Sequence, residues 1–544
     1  MTAPDRRGDV GHARVLLVGL DGASWRILDP LLAKGRLPHL ARLVERGGRT
    51  ILDSTVPPLT PPAWASLMTG MNPAKHGVLT FRSLDYSRYS SFVETLATSE
   101  TFAHLSIFRT LSDAGLRVAS VGMPMTYPPF EVNGVMISGT PKVAIDATST
   151  YPPSLAGELG HFREQPPRLG RKDQFLAYMS RYLSAFSSAA TALLARETWD
   201  LFAVVYSNTD WVVHQFWEFY DETFPTFTKR GQAKYGHVIE AEYEAADRAL
   251  GELLELVGPD TLVVVMSDHG AGPTGHLSVG LNLWLEQQDL LVAGNRGGSR
   301  RAAVLEKARL LTPTPLLDLA RRHLPDRMKA AISAGRLNIG DIEFGKTQAY
   351  RVPLMPMYDA IVLNVRGRQP EGSVDAEEAP ALRARIKGDL TRLVDPETGR
   401  RPVERVWTRE ELFAGPYVDD MPDLVVEYAD GYTGGAHLTP PLVRPVDPFF
   451  LKRDSGFHRQ DGVLVAAGAG VDARELPERP SIVDLAPTLL AALGHAIPAD
   501  MDGRPIAAIA GDWTVEDAAD RLERREQSLE HEEIRKNLES LGYL

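Results

Sequence analysis

The chain has 544 residues, of which 44% are hydrophobic and 24% charged, the balance of an ordinary globular protein. Its length exceeds that of a usual single domain, so we expect a large core with an inserted or appended unit. The formal net charge of −12 argues against a nucleic acid polymer as partner, because affinity for a phosphate backbone comes from clustered Lys and Arg.

Cysteine is absent, which excludes disulfides, thiolate metal sites and cysteine nucleophiles. The first residues, MTAPDRRGDVGHA, lack the apolar segment of a secretory signal. The longest apolar runs, such as residues 261–266, are too short to span a bilayer. We therefore expect a cytoplasmic protein that has no membrane partner.

Short runs rich in Val, Leu and Ile predict buried strands. In chain order they lie at residues 15–20, 117–122, 201–206, 261–267, 360–365, 423–427 and 462–467. Helical patterns lie between them, for instance at residues 27–46 and 236–257. The alternation predicts an α/β fold with a doubly wound, mostly parallel sheet and helices on both faces. In such sheets ligands bind outside the carboxyl ends of the strands.

Two segments depart from this alternation. Residues 287–345 have helical patterns interrupted by proline, which predicts a helical insertion or cap. Residues 513–544 predict a C-terminal helical tail with Thr514 as its N-cap. The catalytic core would then comprise residues 1–286 and 346–512. The tail is expected to pack on the core or against a partner subunit, which leaves a homo-oligomer open.

Carboxylates follow three of the predicted strands. Asp21 ends VLLVGLD, Asp210 ends LFAVVYSNTD, and Asp268 with His269 follows the strand in TLVVVMSDHG. Each alone has an ordinary explanation, since Asp after a strand commonly makes a turn or caps a helix. Together they place carboxylates at one edge of one sheet, where a site is expected.

The segment DWVVH separates Asp210 and His214 by four residues, so one helical turn presents both side chains to one point. A carboxylate oxygen with an imidazole nitrogen suits Zn, and also Mn or Fe, better than Ca or Mg. His458, in SGFHRQDG, could complete this set, although its spacing alone favours an ordinary loop histidine.

Thr60 precedes two prolines and a helix-forming run in LTPPAWASLMTG, which is a standard helix start with Thr as N-cap. The same position offers a hydroxyl at the positive end of the helix dipole, beside free backbone N–H groups, where a phosphoryl anion would bind. A threonine hydroxyl is a poor nucleophile and would need a metal ion to deprotonate it.

These motifs resemble the alkaline phosphatase superfamily, and within it the type I phosphodiesterase/nucleotide pyrophosphatase-like branch. The matching segments follow the family's order over nearly the whole chain: LDG at Asp21, TPPAWASLMTG from Thr60, NPAKHG at 72–77, DWVVH from Asp210, SDHG at 267–270, and His458. The stretch SIVDLAPTLLAALG and the ending LESLGYL also resemble the family's C-terminal part.

The resemblance implies two divalent metal ions, with Zn favoured over Mn. One ion would be held by Asp210, His214 and His458, and the other by Asp21, Asp268, His269 and the Thr60 hydroxyl. It also implies that Thr60 is the nucleophile that attacks a small phosphorylated substrate and forms a phosphothreonine. A phosphodiester or nucleotide pyrophosphate is the favoured substrate. His276 is a weaker candidate for a further contact, and His76 is interpreted as structural.

The sequence leaves some alternative functions open and disfavours others. A phosphomonoesterase, or a phosphomutase or phosphotransferase, could use the same metal core, because hydrolysis and transfer differ only in the acceptor. A sulfatase is disfavoured, because Thr60 cannot become formylglycine and Trp64 occupies the position of the sulfatase arginine. A non-catalytic metal-binding protein is disfavoured because every inferred ligand is present.

One departure from the resemblance concerns the substrate. The diesterase branch has an Asn downstream of the nucleophile that contacts the phosphoryl group, and the sequence has no convincing counterpart near Phe81 and Arg82. Arg82, Lys142 or Arg459 could contact phosphate instead, although solvated charge is the ordinary role of each. The choice between diester and monoester is therefore left open.

Overall fold

A computed structural model describes residues 13–82, 84, 89, 96–167, 171–294, 342–468, 470–472, 476–510 and 514–516. The strands are β1 Ala13–Leu20, β2 Gly48–Asp53, β3 Val118–Met123, β4 Gly134–Ser138, β5 Thr150–Tyr151, β6 Trp199–Tyr206, β7 Leu262–Met266, β8 Gly270–Pro273, β9 Leu277–Gly280, β10 Ala349–Met355, β11 Tyr358–Leu363, β12 Val403–Thr408, β13 Leu424–Tyr428, β14 Tyr432–Gly435, β15 Val443–Pro445, β16 Gly456–Arg459, β17 Asp461–Ala467, β18 Ile497–Pro498 and β19 Val515–Glu516.

The α-helices fall between and after these strands. They are α1 Trp25–Ala33, α2 Pro38–Arg46, α3 Thr60–Thr69, α4 Pro73–His76, α5 Ile107–Asp113, α6 Leu155–Leu159, α7 Lys172–Arg196, α8 Asn208–Tyr220, α9 Lys229–Tyr235, α10 Val238–Leu254, α11 Leu281–Gln287, α12 Ala379–Thr391, α13 Arg409–Leu412, α14 Pro448–Arg453, α15 Leu485–Ala492 and α16 Ala507–Ala510. Short 3₁₀ turns lie at Ser99–Thr101, Ala103–Leu105, Phe344–Lys346, Val418–Asp420 and Ile482–Asp484.

The main sheet has eight strands in the order β2-β17-β7-β1-β6-β3-β4-β5. The five strands from β7 to β4 are parallel, whereas β17 runs antiparallel to both β7 and β2, and β5 runs antiparallel to β4. Leu17 of β1 pairs with Ala203 of β6 and with Val264 of β7. These three central strands are apolar on both faces, as parallel strands covered on both sides require.

Two hydrophobic cores cover the two faces of the main sheet. Leu16, Val18 and Leu20 of β1 join the core that α7, α8 and α10 cover, whereas Val15 and Leu17 join the core of α3, α5 and α15. This alternation follows from the two-residue period of a strand. The prediction of a mostly parallel α/β sheet with helices on both faces is confirmed.

A second sheet with the order β10-β11-β13-β12 is antiparallel throughout and has its own core. The strands predicted at 360–365 and 423–427 exist, but they belong to this sheet and do not continue the main one. Only Pro356 and Met357 separate β10 from β11, and so short a connection allows an antiparallel hairpin but no parallel crossover.

Other differences from the predicted elements are local. The helix predicted at 27–46 is divided into α1 and α2, because the chain turns at Gly35 and α2 begins at Pro38. Thr514 does not cap a helix, since its carbonyl accepts the Ile497 N–H at 2.9 Å and β19 follows it. Most of the predicted insertion and the tail beyond residue 516 lie outside the described residues.

No helix in the described part of the chain is both long enough and apolar enough to cross a bilayer.

Candidate active site

The three predicted carboxylates meet because their strands are neighbours. The strands β6, β1 and β7 are adjacent in the main sheet, and parallel strands end at one edge. Asp21 directly follows β1, Asp210 lies in the first turn of α8 after β6, and Asp268 comes two residues after β7. All three are buried. The edge of the sheet therefore brings three buried carboxyl groups together.

Asp210, His214 and His458 form the first triad, with one ligand atom of each within 4.8 Å of the others. The Oδ1 atom of Asp210 lies 3.2 Å from His214 Nε2 and 3.5 Å from His458 Nε2. One helical turn of α8 supplies the first two side chains. His458 arrives on β16, whose antiparallel pairing with β8 places it opposite Ala271.

Asp21, Asp268 and His269 form the second triad, again with ligand atoms within 4.8 Å of one another. The Nε2 atom of His269 lies 3.3 Å from Asp268 Oδ2 and 3.8 Å from Asp21 Oδ1. The hydroxyl of Thr60 lies 3.4 Å from the same nitrogen. The two triads are in contact, because the His269 and His458 rings stack with centroids 3.7 Å apart. The structure thus brings all seven predicted residues together.

Thr60 is the first residue of α3, and Leu59 is the N-cap, so the expectation that Thr60 caps the helix is wrong by one residue. The expected free N–H groups are also fewer, because Pro61 and Pro62 have none and the Ala63 N–H is bonded to the Leu59 carbonyl at 3.0 Å. The Thr60 hydroxyl is therefore not used in capping, and an anion beside it would depend mainly on cations for its binding.

Two carboxylate oxygens of the second triad lack a hydrogen-bond partner in the described part of the chain. Asp21 Oδ1 and Asp268 Oδ2 are buried and have no hydrogen-bond partner among the described residues. The other oxygen of Asp268 accepts the N–H of Gly22 at 3.1 Å. Unpartnered buried carboxylate oxygens are costly, and oxygen with imidazole nitrogen is a donor set that divalent cations accept. Both triads therefore fit the two metal ions that the family resemblance implies.

Burial and mutual repulsion disturb the ionisation of the carboxylates. Burial, together with the charges of Asp268 and Asp210, raises the pKa of Asp21 well above its ordinary value. Burial likewise raises the pKa of Asp268 to about 7. At Asp210 burial acts in the same direction, but the imidazoles of His214 and His458 outweigh it and hold its pKa well below the ordinary range. A cation would relieve the repulsion.

The two stacked imidazoles are oriented by backbone carbonyls. Burial lowers the pKa of His269 well below its usual value and also lowers that of His458. The Nδ1 atom of His458 lies 2.9 Å from the Pro58 carbonyl, and that of His269 lies 3.1 Å from the Gly270 carbonyl. Donation from Nδ1 leaves the Nε2 lone pair for a metal. The sequence gives no signal for these backbone partners.

The remaining candidates have other contacts. His276 lies outside both triads of described residues. His76 is buried, which lowers its pKa to about 3, and its Nε2 lies 3.0 Å from Ser66 Oγ, as its structural interpretation requires. Arg459 donates to the His458 carbonyl at 2.9 Å and pairs with Asp430 at 3.2 Å. Lys142 lies 3.9 Å from Asp146, and Arg82 is exposed.

The mostly parallel α/β sheet and the paired triads at its edge define a protein with a candidate two-metal centre. The sequence profile of the type I phosphodiesterase / nucleotide pyrophosphatase family matches residues 15–441, so the chain belongs to that family. The protein is therefore a phosphoester hydrolase. A comparison with curated protein sequences gives no match.

Comparison with solved structures finds similar chains at low sequence identity. Phosphonoacetate hydrolase from Sinorhizobium meliloti 1021, in complex with phosphonoformate, is 18% identical, with a TM-score of 0.50 over 91% of this chain and 98% of that chain. Human ectonucleotide pyrophosphatase / phosphodiesterase 5 is 13% identical, with a TM-score of 0.45 over 88% and 94%. The alkaline phosphatase PafA is 14% identical, with a TM-score of 0.48 over 93% and 100%.

Proposed function

We propose that the protein cleaves phosphodiesters or nucleotide pyrophosphates through a phosphothreonine on Thr60. The proposal is carried by the position of the Thr60 hydroxyl, 3.4 Å from His269 Nε2 and beside two contacting triads of candidate metal ligands. A small phosphorylated substrate is the partner that such a site would take.

The triads have a defined chemical task in this proposal. Two divalent cations, with Zn favoured over Mn, would supply positive charge that lowers the pKa of the Thr60 hydroxyl and offsets the charge of the phosphoryl group. Asp210, His214 and His458 would hold one, and Asp21, Asp268 and His269 the other. The backbone bonds at Nδ1 keep His269 and His458 in the tautomer that leaves Nε2 available.

The reaction has two displacements at phosphorus. Thr60 Oγ attacks in line, the Oγ–P bond forms, and the bond from phosphorus to the leaving oxygen breaks with its electron pair on that oxygen. Water then attacks the phosphothreonine, the Oγ–P bond breaks, and the threonine hydroxyl is restored. Because each displacement inverts phosphorus, we expect net retention of configuration.

Replacement of the nucleophile tests this proposal. We expect Thr60→Ala to lower kcat/KM for bis(4-nitrophenyl) phosphate by at least roughly 1,000-fold, because the attacking oxygen is lost. Bound metal, measured by elemental analysis, should stay nearly unchanged. Thr69→Ala in the same helix is the matched control, since its hydroxyl bonds to the Ala65 carbonyl at 2.8 Å, away from the triads. Retained turnover in Thr60→Ala would remove Thr60 from its role.

A substrate panel decides between the alternatives on the same metal core. It contains the bis-aryl phosphate, an aryl monophosphate, a nucleotide pyrophosphate and an aryl sulfate, each assayed with Zn and with Mn. Diester or pyrophosphate turnover above the monoester supports the proposal. Faster monoester turnover, or transfer to an added alcohol in place of water, would assign the protein to the monoesterase or phosphotransferase alternative.

A further inference from the structure

Three aromatic rings form a column that starts beside Thr60. The His269 and His458 rings stack at 3.7 Å with an interplanar angle of 17°, and Phe457 stacks on His458 at 4.6 Å with an angle of 26°. Thr60 Oγ1 lies 3.4 Å from the His269 end of this ring column. His458 is thus in contact with both His269 and Phe457.

Phe457 contacts both imidazoles of the first triad. Besides stacking on His458, it meets the His214 ring edge to face, with centroids 4.8 Å apart and an angle of 81°. It carries no ligand atom, so it cannot hold a metal. Its ring is only half-buried and packs against the core of the second sheet. It thus forms an apolar boundary of the site, and it has no role in the mechanism proposed above.

The direction of attack determines which part of a substrate meets this boundary. In an in-line displacement the leaving oxygen lies opposite the attacking oxygen, across phosphorus. Thr60 lies beside the second triad, and the first triad is its neighbour, so attack from Thr60 would direct the leaving oxygen toward Asp210, His214 and His458. A leaving group larger than one oxygen atom then extends past that triad toward Phe457.

Three cations on the elements next to this triad are paired with carboxylates. Lys172, which also contacts the Gln215 carbonyl, lies 3.4 Å from Glu218. Arg453 lies 3.7 Å from Asp454, and Arg459 lies 3.2 Å from Asp430. These three side chains therefore offer little uncompensated positive charge to a polyanionic leaving group such as pyrophosphate. An uncharged leaving group fits these surroundings better.

We propose that Phe457 is a specificity-determining residue that contacts the leaving group, and that the enzyme prefers phosphodiesters whose leaving alcohol is uncharged and aromatic. This proposal rests on the function proposed above. The leaving alcohol departs with the electron pair of the broken bond to phosphorus, takes a proton from solvent, and leaves the ring beside Phe457. An aromatic pair of this kind contributes to binding beyond its buried area.

Two diesters that differ only in the leaving group test the proposal. Both diesters carry the same second alcohol, which stays on phosphorus when the leaving alcohol departs. The two leaving alcohols have matched acidity, one being a substituted phenol and the other a fluoroalkyl alcohol. We expect Phe457→Ala to lower kcat/KM for the aryl ester by about three- to tenfold and to change that for the fluoroalkyl ester less than twofold. Phe457→Leu keeps the apolar packing and should give an intermediate loss for the aryl ester.

Binding without turnover provides a second measurement. In the Thr60→Ala background, calorimetry should show that Phe457→Ala weakens binding of the intact aryl ester by a similar factor and leaves that of the fluoroalkyl ester unchanged. Tyr417→Ala, which removes a partly exposed aromatic ring beside Gly77, is the control that should affect neither ester.

The outcomes separate the two proposals. If wild-type protein turns over neither diester with Zn or Mn, the proposed function fails. If it turns over both but Phe457→Ala and Phe457→Leu slow them equally, Phe457 only positions the imidazoles and the leaving-group proposal is overturned. Faster turnover of a nucleoside triphosphate than of the aryl diester would likewise overturn the preference for an uncharged leaving group.

Discussion

Gly22 has no side chain, but its backbone affects both triads. Its N–H donates to Asp268 Oδ1 at 3.1 Å, and its φ of 63° lies in the left-handed region. A Cβ atom built at this position would lie 2.8 Å from Asp210 Oδ1. The backbone after β1 therefore positions one candidate ligand directly and leaves the space that another occupies.

We expect Gly22→Ala to lower kcat/KM by roughly 100-fold, because the added methyl group displaces the Asp210 carboxylate. Gly35→Ala is the matched control. Gly35 has a similar φ of 67°, but no described atom lies within 4 Å of a Cβ there. The control should lose about 1 kcal/mol of stability to backbone strain and keep its activity. Equal losses of activity in the two variants would contradict this account.

The burial of Asp268 predicts how the stability of metal-free protein depends on pH. Its pKa is raised from 3.8 to about 7 in the folded protein, so between these values the folded state binds a proton that the unfolded state does not. The free energy of unfolding should therefore fall as pH rises through this interval.

Chemical unfolding of chelator-treated protein at pH 5 and pH 8 measures the effect. Asp268→Asn, which carries no charge at either pH, should lose less stability between the two pH values than wild type. The raised pKa of Asp21 leaves a smaller dependence in the variant. An identical pH dependence in both proteins would show that Asp268 is ionised normally.

For single residues, the sequence predicts the site best where a side chain of suitable chemistry follows a predicted strand. Asp21, Asp210 and Asp268 follow apolar runs, so their position at one edge of the sheet is predictable, whereas their contact depends on the strand order β6, β1 and β7, which the sequence does not give. The place of His458 in this set comes from the family resemblance, because β16 pairs with β8 almost 190 residues earlier. The contact of Phe457 with the imidazoles has no sequence signal, since an aromatic residue beside a histidine is common in cores.

Among the elements of the fold, β7 is linked near the site to the loop after β1 and to β17 through Ser267, the residue that follows β7. Its hydroxyl donates to the Ala23 carbonyl at 2.9 Å and accepts the Val463 N–H at 2.7 Å. It thereby holds the end of β7 against the loop after β1 and against β17. Its side chain is fully buried, so neither backbone group can turn to water if the hydroxyl is removed.

We expect Ser267→Ala to cost roughly 1–3 kcal/mol of stability, because two buried polar groups lose their partner. Ser120→Ala is the control, since the Ser120 hydroxyl in β3 is equally buried and has no partner in the described part of the chain. The control should be neutral or slightly stabilising in denaturant unfolding. Equal destabilisation by the two substitutions would contradict the role assigned to Ser267.

The secondary-structure elements also show which features of the fold the sequence predicts and which it does not. Every predicted strand exists, with bounds within two residues, because a buried apolar run has few other structures available. Sheet membership was not predictable for β11 and β13, since apolar composition does not distinguish a parallel from an antiparallel neighbour. The short edge strand β2 was not predicted, because its sequence GRTILD has too few apolar residues.

For the whole molecule, the two large sheets meet around the strand that carries His458. The strand β16 pairs with β8, which follows β7 of the main sheet. Arg459 on β16 pairs with Asp430, which lies two residues after β13 of the second sheet. Phe457 packs against the second core. The second sheet therefore supports one side of the site, a role that the predicted alternation of strands and helices does not reveal.

The central claim is that seven side chains hold two cations around the Thr60 hydroxyl. Crystals grown separately with Zn and with Mn test it by anomalous diffraction at the absorption edge of each metal. We predict two ions per chain, one among Asp210, His214 and His458, the other among Asp21, Asp268 and His269 with Thr60 Oγ bound to it. A single ion, ions bound elsewhere, or a Thr60 hydroxyl directed away from both triads would contradict the account.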